Sequence, residues 1–207
     1  GIMTQETASC VIASSLELAD GDSVYFTFQG GEPLIAGKEF FLYFIDKVKQ
    51  LNSKGSKVYY ALQTNGTLVD EEWADIFKRE QFLIGLSLDG DADGNIYRTD
   101  SAYAPVFNKV VETADLLTAK GVDFNILTVV TARCAEGIER VYTFFKSRGY
   151  RYLQFIPCLR PLGYDGDGEM YMTSKQYAEY LIRLFNLYVK DYVSGNYVSI
   201  RHLDNAV

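Results

Sequence analysis

Apolar and polar positions along the 207-residue chain follow two alternating rhythms. Five short runs, at residues 24–28, 57–63, 82–88, 124–130 and 152–156, are apolar, aromatic or β-branched, the composition of buried strands. Around them, apolar residues recur at helical spacing and predict helices at 4–19, 38–53, 70–79, 105–120, 135–148 and 174–193. The punctuation agrees. Lys54-Gly55, Lys120-Gly121 and Arg148-Gly149 each place a cation and then a glycine where a helix gives way to a strand. Thr67 to Asp70 and Thr173 to Gln176 have capping-box spacing, and Pro105 suits a first helical turn.

Strand-helix units joined by short connections imply a parallel sheet with right-handed crossovers, either doubly wound or part of a barrel. Ligand chemistry then belongs at the C-terminal ends of the strands. Polar residues collect there: Gln29 to Glu32, Gln63 to Gly66, Ser87 to Gly90, Thr128 and Gln154. The first of these ends is the most informative. An apolar strand runs into Gln29-Gly30-Gly31-Glu32-Pro33, where two glycines permit positive φ and leave no side chain to keep a ligand off the backbone. Glu32 can accept from a bound cation or amine, and Pro33 fixes the exit.

Charge and composition narrow the partners. A net charge of −7 repels nucleic-acid backbones and anionic membranes, leaving a small molecule or a protein. No apolar run approaches a membrane span and no basic leader opens the chain, so a cytosolic protein is expected. Cys10, Cys134 and Cys158 have no metal-ligand spacing and read as buried or surface thiols. The one histidine, His202, rules out a histidine-rich metal site or a Ser-His-Asp triad elsewhere in the chain. The aromatic helix faces Phe40, Phe41, Tyr43, Phe44 and Tyr177, Tyr180, Phe185, Tyr188 are expected to pack into the core. Residues 89–100 match the spacing of a calcium loop, but a strand precedes them and Asp100 stands where glutamate is usual. They are expected to form a solvated acidic loop, as is the stretch at 165–169. Nothing divides the chain, and residues 1–207 read as one domain whose last segment opens a further element.

Gly30-Gly31-Glu32-Pro33, Gln63-Thr64-Asn65-Gly66-Thr67, Ser87-Leu88-Asp89-Gly90, the strand at 124–130 and the stretch at 153–159 stand in one order along the chain. Together they resemble the anaerobic sulfatase-maturating enzymes, SPASM-type radical S-adenosylmethionine proteins that oxidise a sulfatase cysteine or serine to formylglycine. The resemblance runs from about residue 3 to the end and includes Val198 to Asn205. It implies a partial (β/α)6 TIM-like barrel of parallel strands, of which this chain would carry about five and lack the first strand-helix unit.

The same resemblance assigns the cofactor. Gly30, Gly31 and Glu32 would meet the amine of S-adenosylmethionine with Gln29 beside them, Ser87 would hold its carboxylate, and Gln154 to Ile156 would line the adenine. Arg98 is the candidate guanidinium for the cofactor carboxylate, with Lys109 as fallback, although the run from Asp91 to Arg98 lacks the family's proline and histidine. The Cys-x-x-x-Cys-x-x-Cys set that binds the family's [4Fe-4S] cluster is not in this sequence. No catalytic residue or metal ligand is therefore assigned within the chain. By itself it is expected to be inactive and to hold neither cluster nor S-adenosylmethionine. The complete enzyme would act on a sulfatase polypeptide. Another peptide-modifying radical enzyme, or a cluster-free barrel serving as a binding module, is the alternative. An unpaired edge on the strand at 24–28 would either recruit a second copy as a homodimer or be covered by the first helix.

Overall fold

The computed structural model describes residues 1–163 and 169–205. The acidic stretch at 165–169 lies outside them except for Glu169. Eight helices and six strands alternate among the described residues. The chain opens with α1 (Gln5–Ala19), then β1 (Val24–Phe28), α2 (Lys38–Leu51), β2 (Val58–Thr64) and α3 (Glu71–Arg79). It continues with β3 (Leu83–Ser87), α4 (Phe107–Lys120) and β4 (Phe124–Val130). After these come α5 (Ala132–Glu136), α6 (Ile138–Ser147), β5 (Tyr152–Pro157) and α7 (Ser174–Val193). A two-residue β6 (Ser199–Ile200) and α8 (Arg201–Asp204) close the described chain. The strands follow chain order in one open sheet with β1 and β6 at its ends, and the pairings β1–β2, β4–β5 and β5–β6 are parallel. No helix among the described residues is long and apolar enough to cross a membrane.

Two compact units divide the chain: Gly1–Gly85 with Thr113–Asp123, and Leu86–Glu112 with Phe124–Val207. The first is organised by aromatic side chains. β1 sends alternate residues to one face, where Phe26 meets Phe44 edge-on at 5.1 Å and Phe28 meets Phe41 at 4.8 Å. Phe82 stacks on Tyr60 at 5.0 Å and meets Phe77 at 5.5 Å, so the segment entering β3 is seated against β2 and α3. Each fully buried ring of this kind contributes about 2–3 kcal/mol through removal of apolar surface from water. In the second unit, Phe145 lies between Tyr150 and Phe155, and Phe155 meets Tyr180 of α7.

The caps follow the chemistry of the sequence. Gly55, Gly121 and Gly149 take φ of +71°, +65° and +76°, the left-handed turn that ends a helix. Thr173 and Gln176 form the full capping box at α7. Other boundaries depart from expectation for visible reasons. Asp70, not Thr67, caps α3, because its carboxylate accepts from Trp73 N at 2.9 Å while Thr67 bonds back to Asn65. α4 starts two residues after Pro105, which forms an antiparallel bridge with Thr99. The helix expected at 135–148 is two helices, parted at Gly137, where a Cβ would lie 3.0 Å from the Arg140 guanidinium. β6 raises the strands to six; two residues are too few to show a period. On α7, Tyr180 and Tyr188 are buried, whereas Tyr177 and Phe185 are exposed rather than packed in the core.

Candidate functional site

The end of β1 is a bare stretch of backbone. Gly30 and Gly31 have φ of +98° and +52°, and a Cβ added to either would meet no atom within 4 Å. A side chain there would be strained by the backbone and would fill the open space beside it. Beside them lies a cavity of about 550 Å³ whose wall includes Phe26, Phe28, Phe40 and Phe44 and whose polar members include Gln29 and Glu32. That volume falls in the range of small-molecule sites, as does the combination of an apolar wall with few polar groups. After Glu32 a single 3-10 turn, Pro33–Ala36, carries the chain to α2.

Glu32 faces the fold. Its Oε1 accepts from Thr64 Oγ1 at 2.8 Å and Leu34 N at 3.2 Å, and its Oε2 accepts from Asn65 N at 2.8 Å. The carboxylate thus ties the end of β1 to the end of β2. The buried Thr64 hydroxyl in turn accepts from Gly66 N at 3.0 Å, and buried Thr113 of α4 donates to Gly66 O at 2.8 Å. Thr64 and Thr113 were not among the expected site residues; Thr64 stood within the polar end of β2, while nothing in the sequence around Thr113 marks it.

In the second unit, Ser87 ends β3 and is buried. Asp89, also buried, accepts from Arg98 Nε at 2.7 Å and Nη2 at 2.8 Å and from Val129 N at 2.7 Å. This bidentate pair uses one edge of the guanidinium proposed for a ligand and leaves Nη1 on the other side. The neighbouring carboxylates are also paired: Asp91 with Arg140 Nε at 2.7 Å, and Asp93 with Arg133 and Arg140. The loop at 89–100 is thus partly exposed, as expected, but its carboxylates at 89, 91 and 93 are ion-paired, because Arg98, Arg133 and Arg140 converge on it. Among the described residues no group of three or more His, Cys, Asp or Glu side chains could hold a metal ion. Gln154 and Ile156 point to the same side of β5; Gln154 accepts from Arg201 Nη1 at 3.1 Å, and Ile156 pairs in register with Val129. Lys109 is exposed on α4.

The cysteines do not fit an iron-sulfur cluster, which needs several convergent thiolates. Cys10 is exposed on α1. Cys134 is buried, and burial, with Asp89 and Asp91 nearby, pushes its thiol up to about 12. Burial and Asp89 also raise Cys158. Raised thiols are poor ligands and poor nucleophiles.

Comparison with known proteins agrees with this layout. The chain is 42% identical over 207 residues to the cysteine-type anaerobic sulfatase-maturating enzyme of Clostridium perfringens (strain 13 / Type A), an alignment covering 99% of this chain and 55% of the relative. It is 42% identical over 182 residues to the enzyme of the same name from Clostridium novyi (strain NT), covering 87% of this chain and 49% of the relative. A solved structure described as native anSMEcpe with bound AdoMet and Kp18Cys peptide superposes with a TM-score of 0.95 at 41% identity, over 99% of this chain and 57% of that one. The chain thus spans about half the length of these relatives, and its parallel α/β sheet is that of their TIM-like fold. The family model described as Radical SAM superfamily matches residues 12–145, and the chain belongs to that superfamily.

Proposed function

We propose that this chain is the core of an enzyme that oxidises a sulfatase side chain to formylglycine, and that it receives S-adenosylmethionine at the ends of its strands. The superposition at a TM-score of 0.95 with a structure described as holding AdoMet and a cysteine peptide carries this reading. The cysteine-type names of the 42% identical relatives favour a cysteine over a serine as the residue oxidised. Gln29, Gly30 and Gly31 offer peptide groups and an amide side chain to the methionine amine, and Ser87 offers a hydroxyl to its carboxylate. Arg98 enters through Nη1. Gln154 and Ile156 supply a polar and an apolar contact for the adenine. An exposed glycine backbone beside a cavity supports measurable affinity for S-adenosylmethionine in this chain, which the sequence by itself did not lead us to expect.

The iron-sulfur cluster of the family would supply the electron that such chemistry requires. The cysteines of this chain do not fit it, and we assign it no residue here. An anaerobic incubation of the chain with iron, sulfide, a reductant, S-adenosylmethionine and a sulfatase-derived cysteine peptide tests both parts of the reading. The expected result is retention of S-adenosylmethionine and peptide with no formylglycine. Formylglycine in the product would overturn the assignment of the cysteines, and failure to retain either molecule would overturn the functional reading.

A further inference from the structure

A carboxylate beside two bare glycines is the natural partner for a ligand amine, but Glu32 already accepts three hydrogen bonds from within the fold, two on Oε1 and one on Oε2. Three donors converge on it: the Leu34 and Asn65 amides and the Thr64 hydroxyl, at 3.2, 2.8 and 2.8 Å. Only a group that accepts on both oxygens satisfies all three, because a glutamine in either orientation would aim an N–H at one of these donors. Thr64 is 1% exposed and bonds on both sides, donating to Glu32 and accepting from Gly66 N. Thr113, also 1% exposed, closes the chain of bonds on Gly66 O at 2.8 Å. A continuous line of hydrogen bonds thus runs from α4 through the end of β2 to the residue that follows Gly31.

We infer that Glu32 is a positioning residue, not a ligand contact, and that Thr64 is its partner: together they hold the Gly30–Gly31 backbone in the shape that receives the methionine amine. The ligand part of this inference rests on the proposed function. The physical need is plain. Two glycines lose more conformational freedom than any other pair, and a backbone that must present its peptide groups to a ligand has to be held from outside. Glu32 is the first residue after them with a side chain, and its three bonds immobilise it.

Three variants of the full chain, Thr64→Val, Thr64→Ser and Glu32→Gln, test this by two separate readouts: hydrogen exchange of the Leu34 and Asn65 amides that Glu32 holds, and affinity for S-adenosylmethionine. Thr64→Val keeps the shape of the side chain but removes the hydroxyl; it is expected to speed exchange at both amides and to weaken affinity, each about tenfold, the equivalent of one charged hydrogen bond. Thr64→Ser is expected to restore both. Glu32→Gln should speed exchange at Asn65 and lower affinity in parallel. Unchanged exchange at Leu34 and Asn65 in Thr64→Val would overturn the inference. So would a Glu32→Gln chain that loses affinity with exchange unaltered, since that is the mark of direct contact. A wild-type chain without affinity would reject the cofactor reading, and the exchange data would still decide whether Glu32 and Thr64 hold the loop.

Discussion

At the scale of single residues, environment separates side chains of one type into different chemistry. Cys10 is exposed, while Cys134 is buried with a thiol pushed up to about 12, so at neutral pH almost none of the latter is thiolate. Alkylation of the native chain followed by mass spectrometry should modify Cys10 rapidly and leave Cys134 unmodified until the chain is unfolded; prompt labelling of Cys134 would show that α5 is not packed as described. Carboxylates divide in the same way. The sequence showed acidic residues at calcium-loop spacing, but spacing does not reveal which arginines arrive from elsewhere. Arg133 and Arg140 lie some forty positions away from Asp93, so their pairing with it is a tertiary fact. The same holds for Glu32. Its place after two glycines was legible, whereas the direction of its carboxylate was decided by Thr64 and Asn65, residues of another strand end.

At the scale of elements, the first five strands and the glycine-marked helix ends at Gly55, Gly121 and Gly149 were written locally and legible in the sequence, since β-branched runs and a glycine at the left-handed position act within a few residues of themselves. The break at Gly137 was not, because helical periodicity continues through it on both sides. How α6 and α7 are joined is also a matter of packing. Asp191 of α7 accepts from Tyr142 Oη at 2.7 Å and from Lys146 Nζ at 2.6 Å, both on α6. Burial works against its ionised form, but Lys146 and Tyr142 outweigh it and hold the carboxyl below the usual range. A depressed pKa gives stability that is present above the unfolded value and lost as pH falls through the folded one. Asp191→Asn should therefore cost on the order of 2 kcal/mol in urea unfolding at neutral pH, with Lys146 partly exposed to screening. The difference from wild type should shrink below about pH 4, where the carboxylate of the unfolded chain protonates. An equal deficit at both pH values would mean that packing, not charge, joins the two helices.

At the scale of the whole molecule, the order of motifs along the chain carried more than any motif alone. Thr64 and Ser87 end β2 and β3, Gly30 lies just past the end of β1, and strand C-terminal ends are the position at which parallel sheets place ligand chemistry; Gln154 stands within β5. The alternative left open by the sequence, a doubly wound sheet, gives way to six strands in chain order from β1 to β6. The central claim is that the bare glycine backbone after β1 receives S-adenosylmethionine. Calorimetric titration of S-adenosylmethionine into the wild-type chain and into Gly31→Val tests it most directly, with circular dichroism confirming that the variant is folded. The account predicts saturable binding to the wild type and loss of that binding in Gly31→Val. Equal affinity in the two chains, or none in the wild type, would contradict it.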